Sequence, residues 1–97
     1  MYQEIDSYEL KNIMNRKNIN LIDIRDSYIY SFGTIQNAKN IPYNYLITNP
    51  NDYLNFDKEY YIFCNSGNNS YKICKYLSKL GYNVFNIIDG YQGYKDS

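Results

Sequence analysis

The sequence contains no histidine and no tryptophan, and its 97 residues include only two cysteines, two prolines and five glycines. The missing histidine excludes a Ser-His-Asp triad, a Cys-His pair, an imidazole metal ligand and a histidine general base. Two cysteines without histidine cannot build the usual four-ligand zinc site. Net charge is also missing, because ten Lys and Arg balance ten Asp and Glu. Nucleic-acid binding needs clustered basic side chains, so no nucleic-acid partner is expected. No stretch approaches the roughly 20 apolar residues of a membrane span, so no membrane partner is expected either. The opening MYQEIDSYEL has no basic segment leading into an apolar run. A secretory signal is therefore not expected, and the cytoplasm is the expected compartment. Thiols stay reduced there, which makes Cys64 and Cys74 free thiols rather than a disulfide.

What remains is an ordinary globular composition, with 44% hydrophobic residues. The length fits one domain, residues 1–97, burying roughly two-thirds of the surface of its unfolded chain. The richness in Asn, Tyr, Ile and Lys carries no functional signal.

Strand and helix signals alternate along the whole chain. Residues 2–5 read as a strand, and Ser7 as the cap of a helix carrying Leu10, Ile13 and Met14 and fading near Arg16. Leu21–Arg25 is a short apolar run of the buried-strand type. Asp26 or Ser27 can cap a short helix that Gly33 stops. Ala38–Ile41 reads as a strand ended by Pro42, and 43–56 as a short helix followed by loop. Tyr60–Phe63 is the clearest strand. Ser70–Leu80 is the clearest helix, with Ile73, Leu77 and Leu80 on one face and Gly81 as its stop. Asn83–Ile88 reads as the last strand, and the tail from Gly90 as one helical turn. Such alternation implies an α/β fold: a small, mostly parallel five-stranded sheet with helices on both faces. The runner-up is an α+β domain with a partly mixed sheet. Parallel sheets bind ligands at the carboxyl ends of their strands.

Cys64 stands at such an end. Asn65, Ser66, Gly67, Asn68, Asn69 and Ser70 follow it, small and polar, and lead into the helix. Gly67 permits backbone angles closed to other residues. The loop N–H groups can then turn inward as an anion-binding nest, reinforced by the helix N-terminus. A thiol so placed has its pKa lowered from ~8.5 towards ~3.5–7.5, and its thiolate is a nucleophile. The competing reading is a buried cysteine acting as a small hydrophobe. Cys74, inside the helix beside its apolar stripe, is read as core, with a resolving thiol as the alternative.

Asp23 and Arg25 lie two residues apart on one strand and point to the same face. Buried Asp23 needs a partner, and Arg25 is the nearest basic group. A functional reading puts Arg25 at the site mouth, attracting an anionic donor. Ser70 is read as the N-cap or first residue of its helix. Tyr28, Tyr30, Tyr43 and Tyr45 are candidates to line a pocket.

Together these segments resemble the rhodanese domain family, specifically its single-domain sulfurtransferases, over nearly the whole chain. Leu21-Ile22-Asp23-Ile24-Arg25 is similar to the family's L-[IV]-D-[VI]-R strand. Phe32-Gly33-Thr34-Ile35, with Ala38, Asn40, Ile41 and Pro42, is similar to F-G-H-I-x-G-A-x-N-I-P. The loop from Cys64 to Ser70 is similar to the active-site loop. Gly81-Tyr82 with Val84, and Gly90-Tyr91-Gln92-Gly93-Tyr94, are similar to the family's closing signatures. Thr34 stands where the family usually has His, Asn37 and Asp89 where Gly is common, and Tyr94 where Trp is usual. These departures read as structural. The loop itself is neutral, whereas many relatives carry Arg or Lys there, and weak thiosulfate affinity is expected from it.

The resemblance implies a mechanism without metal or organic cofactor. Cys64 takes a sulfur atom from thiosulfate or a persulfide donor, and a thiol, cyanide or protein cysteine accepts it from the Cys64 persulfide. Three alternatives stand beside it. A cysteine phosphatase would have Arg where this loop has Ser70. A non-catalytic interaction module, and a sulfur relay serving a partner enzyme, are the others.

Overall fold

The run of aromatic and β-branched residues around 60–63 forms the central strand of the computed structural model, which describes residues 2–97. In chain order the strands are β1 (Tyr2–Ile5), β2 (Leu21–Asp23), β3 (Lys39–Asn40), β4 (Glu59–Phe63) and β5 (Asn83–Ile87). The helices are α1 (Ser7–Arg16), α2 (Ser27–Phe32), α3 (Tyr43–Thr48), α4 (Asn68–Lys79) and α5 (Gly90–Asp96), with a 3₁₀ turn at Pro50–Asp52. The sheet order is β1-β5-β4-β2-β3, and every pairing is parallel. The parallel α/β architecture is thus realised in full, and the mixed-sheet alternative falls. No helix among the described residues is long and apolar enough to cross a membrane.

Strand β4 shows why the sheet is buried on both faces. Tyr60 and Ile62 join Ile73, Cys74, Leu77 and Leu46 in a core under α3 and α4. Tyr61 and Phe63 join Leu10, Ile13 and Ile87 in a second core under α1. The period of two along a strand sends alternate residues to opposite layers. Cys64 follows that alternation into the α4 layer.

Several boundaries differ from expectation, each for a local reason. The cap of α1 is Asp6, whose side chain accepts the Glu9 N–H at 2.8 Å, whereas Ser7 is buried as the first helical residue. Strand β2 stops at Asp23 rather than running to Arg25, because the Asp23 carboxylate takes the Arg25 N–H at 2.9 Å and turns the chain. Strand β3 keeps only Lys39 and Asn40 of the expected Ala38–Ile41, as the Ala38 N–H turns back to the Ile35 carbonyl. Helix α4 begins at Asn68, two residues before Ser70, and its cap is Gly67. Leu80 is the C-cap and lies 44% exposed, off the buried stripe of Ser70, Ile73, Cys74 and Leu77. The tail is a seven-residue helix rather than one turn.

Four departures from the family pattern have visible structural settings. The Thr34 hydroxyl donates to Asp23 Oδ2 at 2.8 Å. Asn37 adopts φ +69°, a left-handed conformation that Asn tolerates better than most residues. Asp89 accepts the Ser7 N–H at 2.9 Å and the Ser7 hydroxyl at 2.6 Å. Tyr94 packs against the α1-side core, and its ring lies 4.7 Å from Lys11 Nζ.

Candidate active site

Strand β4 delivers Cys64 to the carboxyl end of the sheet, where it is 4% exposed. The chain then turns through Gly67, at φ +96°, into α4. A Cβ on Gly67 would lie 2.1 Å from the Ile88 carbonyl oxygen, so both the angle and the space demand glycine here. The turn gathers donors on one sulfur. The Gly67 N–H donates to Cys64 Sγ at 3.1 Å and the Ser70 N–H at 3.4 Å. The Ser70 hydroxyl lies 3.4 Å from the same sulfur. Ser70 is therefore not the cap of its helix but its third residue, fully buried against the thiol.

These donors decide the ionisation of Cys64. Burial alone raises a thiol pKa, because the thiolate loses water. The Ser70 hydroxyl and the Ser70, Gly67 and Ser66 N–H groups outweigh burial, and the Cys64 pKa falls below its ordinary value. Cys74 has no such donors. It is fully buried, and burial, with a smaller contribution from Cys64, pushes its thiol far up. The donors favour the thiolate at Cys64, whereas Cys74 is a thiol buried in the core.

A second element fixes the turn. At the start of α5, the Tyr91 N–H donates to the Cys64 carbonyl at 2.9 Å and the Gln92 N–H to the Asn65 carbonyl at 3.0 Å. With those carbonyls held by α5, the Gly67 and Ser70 N–H groups face the sulfur. A Cβ on Gly90 would sit 2.6 Å from the Cys64 carbonyl oxygen, which keeps this approach open to glycine alone. The tail's part in the site was missed by pattern reading. The closing glycine motif was its only sequence signal.

Cys64 opens into a cavity of about 420 Å³, also lined by Arg25, Asp26, Ile29, Tyr43, Asn65 and Asn69. Ser66 and Asn68 are exposed and lie outside its lining. Of the four candidate tyrosines only Tyr43 lines it. Tyr28 packs edge-on to Phe32 at the surface, the Tyr30 hydroxyl donates to the Ala38 carbonyl, and Tyr45 is 62% exposed.

Asp23 and Arg25 pair as expected. Arg25 Nε lies 3.0 Å from Asp23 Oδ1 and Nη2 2.8 Å from Oδ2. Nη2 also donates to the Gly33 carbonyl at 2.7 Å, and the guanidinium carbon stacks 4.3 Å from the Tyr91 ring centroid. Arg25 borders the cavity, but its charge is spent on Asp23, and its side chain is only 8% exposed.

Residues 6–97 match the rhodanese-like domain. The chain belongs to the rhodanese-like domain family. Among curated relatives, a sulfurtransferase of Allochromatium vinosum is 34% identical over 92 residues, covering 93% of this chain and 85% of that protein. A thiosulfate sulfurtransferase of Actinobacillus succinogenes is 27% identical over 95 residues, covering 97% and 85%. The crystal structure of a rhodanese-like domain protein from Staphylococcus aureus superimposes with a TM-score of 0.85 at 31% identity, covering 95% of this chain and 90% of that one. A Staphylococcus saprophyticus crystal structure gives 0.89 at 31%, covering 98% and 95%. Relatives named sulfurtransferases support a transferase within this rhodanese-like family, over the phosphatase and interaction-module readings.

Proposed function

We propose that this rhodanese-like domain moves sulfane sulfur as a persulfide on Cys64. The donor is thiosulfate or a persulfide, and the acceptor a thiol, cyanide or a protein cysteine. The observation that carries the reading is the convergence of the Gly67 N–H, the Ser70 N–H and the Ser70 hydroxyl on one sulfur. Charge-assisted hydrogen bonds of this kind stabilise an anion most strongly where water is excluded.

With thiosulfate the Cys64 thiolate attacks the outer sulfur. A new S–S bond forms, the old one breaks, and its electron pair leaves on sulfite. The persulfide anion then carries the charge that the thiolate carried, within reach of the same N–H donors. Asn65 and Asn69 border the cavity that the outer sulfur enters. Attack by the acceptor returns the thiolate, so the two half-reactions follow ping-pong kinetics. The loop offers no cationic side chain, so thiosulfate binds weakly.

Intact-mass spectrometry of the reduced protein after brief thiosulfate exposure tests this, beside a Cys64→Ala control. Gain of one sulfur atom, absent in the control and removed by cyanide, is expected. No gain with either thiosulfate or polysulfide would instead favour a non-catalytic module.

A further inference from the structure

The charge of the Cys64 cavity points to the class of sulfur carrier it takes. Among the lining residues only Arg25 and Asp26 bear charge. The Arg25 guanidinium is neutralised by Asp23, which lies outside the lining and is fully buried. It is engaged further by the Gly33 carbonyl and the Tyr91 ring. Asp26 is exposed, and although its backbone carbonyl accepts the Tyr30 N–H, its carboxylate caps no helix and takes part in no hydrogen bond or ion pair among the described residues. Apart from the sulfur of Cys64 itself, the cavity therefore carries one uncompensated negative charge. A loaded persulfide anion adds a second. The other walls are the apolar Ile29, the Tyr43 ring, Ile24 and the amides of Asn65 and Asn69. No unpaired cationic side chain there offsets the desolvation of a carboxylate, sulfonate or thiosulfate.

We infer that Asp26 is a specificity-determining residue, and that the cavity selects uncharged or cationic organic thiols and persulfides over anionic ones. The inference rests on Cys64 carrying sulfur and deepens that reading by naming the charge class of the carrier. In the acceptor step the thiol sulfur bonds to the outer persulfide sulfur. The bond to Cys64 Sγ breaks and its electron pair remains on Sγ as thiolate. The thiol proton ends on the transferred sulfur, so no further oxidant or reductant is required.

Three small thiols of similar length supply the test: cysteamine, 2-mercaptoethanol and 2-mercaptoethanesulfonate. Each is mixed with polysulfide-loaded, desalted protein, and sulfur loss is followed by intact mass, for the wild type and for Asp26→Asn. The Asp26 carboxylate is exposed and makes no cap hydrogen bond, so the near-isosteric Asn keeps the fold. Taking the variant-to-wild-type rate ratio for each thiol cancels that thiol's own reactivity. The expected ratios are below one for cysteamine, near one for mercaptoethanol and above one for the sulfonate, each charged case by about two- to fivefold, as suits an exposed charge. The differences shrink as salt is raised. Equal ratios for all three thiols on loaded protein overturn the charge selection alone. Failure of the wild type to load any sulfur overturns it together with the persulfide reading.

Discussion

The Ser70 hydroxyl stands between two acceptors, 3.4 Å from Cys64 Sγ and 3.3 Å from the Gly67 carbonyl oxygen. One hydroxyl proton cannot serve both. With Cys64 protonated, the thiol donates to Ser70 and Ser70 donates to Gly67. Once the thiol ionises, the hydroxyl rotates to donate to sulfur. Turning one O–H bond is thus enough to meet either charge state.

Ser70→Ala removes that donor while leaving the backbone N–H groups in place. A hydrogen bond to a charged group is worth about 1.5–3 kcal/mol. The Cys64 pKa therefore rises, and its iodoacetamide rate at neutral pH falls by about tenfold. The pH–rate profile of Cys64 alkylation checks this, since a merely structural loss would lower the plateau without moving the midpoint.

The two thiols separate by reactivity and by their effect on stability. Cys64 is alkylated with a midpoint below that of an ordinary thiol, whereas Cys74 reacts only on unfolding. The folded pKa of Cys64 is lowered, so its stabilising contribution grows as pH rises from that value and is complete above the unfolded value of ~8.5. The folded pKa of Cys74 is raised, so its contribution is complete below ~8.5 and is lost at higher pH. Urea unfolding across pH should show stability rising towards ~8.5 and falling beyond it. Cys64→Ala removes the rise, and Cys74→Ala removes the fall between ~8.5 and ~10, above which the raised Tyr2 and Tyr61 phenols also cost stability.

Asp23→Ala strips the partner from the buried Arg25 guanidinium. Breaking a buried pair on one side costs about 3–5 kcal/mol, because the remaining charge is left without compensation. The denaturant midpoint should drop accordingly. A loss below about 1 kcal/mol, the range of exposed pairs, would show the pair to be solvated in solution.

Asp89→Ala releases both hydrogen bonds to Ser7, and with them the clasp between α1 and the start of α5. The expected destabilisation is about 1.5–3 kcal/mol. Because α5 holds the Cys64 and Asn65 carbonyls, Cys64 alkylation at neutral pH should slow as well. Unchanged alkylation in a destabilised variant would confine Asp89 to a structural role.

The elements legible in advance are those written in local pattern. Tyr60–Phe63 announces a strand by its aromatic and β-branched side chains, and Ile73 and Leu77 announce a helix by their spacing. Gly67 beside Cys64 announces a turn, and the pairing of Asp23 with Arg25 follows from the period of a strand. Other features were misread because their cause lies outside the segment. Ser70 looked like a helix cap, since nothing local shows that Gly67 starts the helix earlier against Ile88. The tail looked like a single turn, because the carbonyls that satisfy the Tyr91 and Gln92 N–H groups belong to Cys64 and Asn65.

The sequence by itself determined the alternating α/β order, the thiol at a strand end and the glycine that lets the chain turn there. These depend on side-chain period and backbone freedom, which act over a few residues. Tertiary structure alone decided which donors reach Cys64 Sγ, that Arg25 is spent on Asp23, Gly33 and Tyr91, and that Asp26 is left facing the cavity without a partner. Those outcomes depend on which surfaces the parallel crossovers bring together. Ser7 and Asp89, at opposite ends of the chain, meet only because β1 and β5 lie side by side in the sheet.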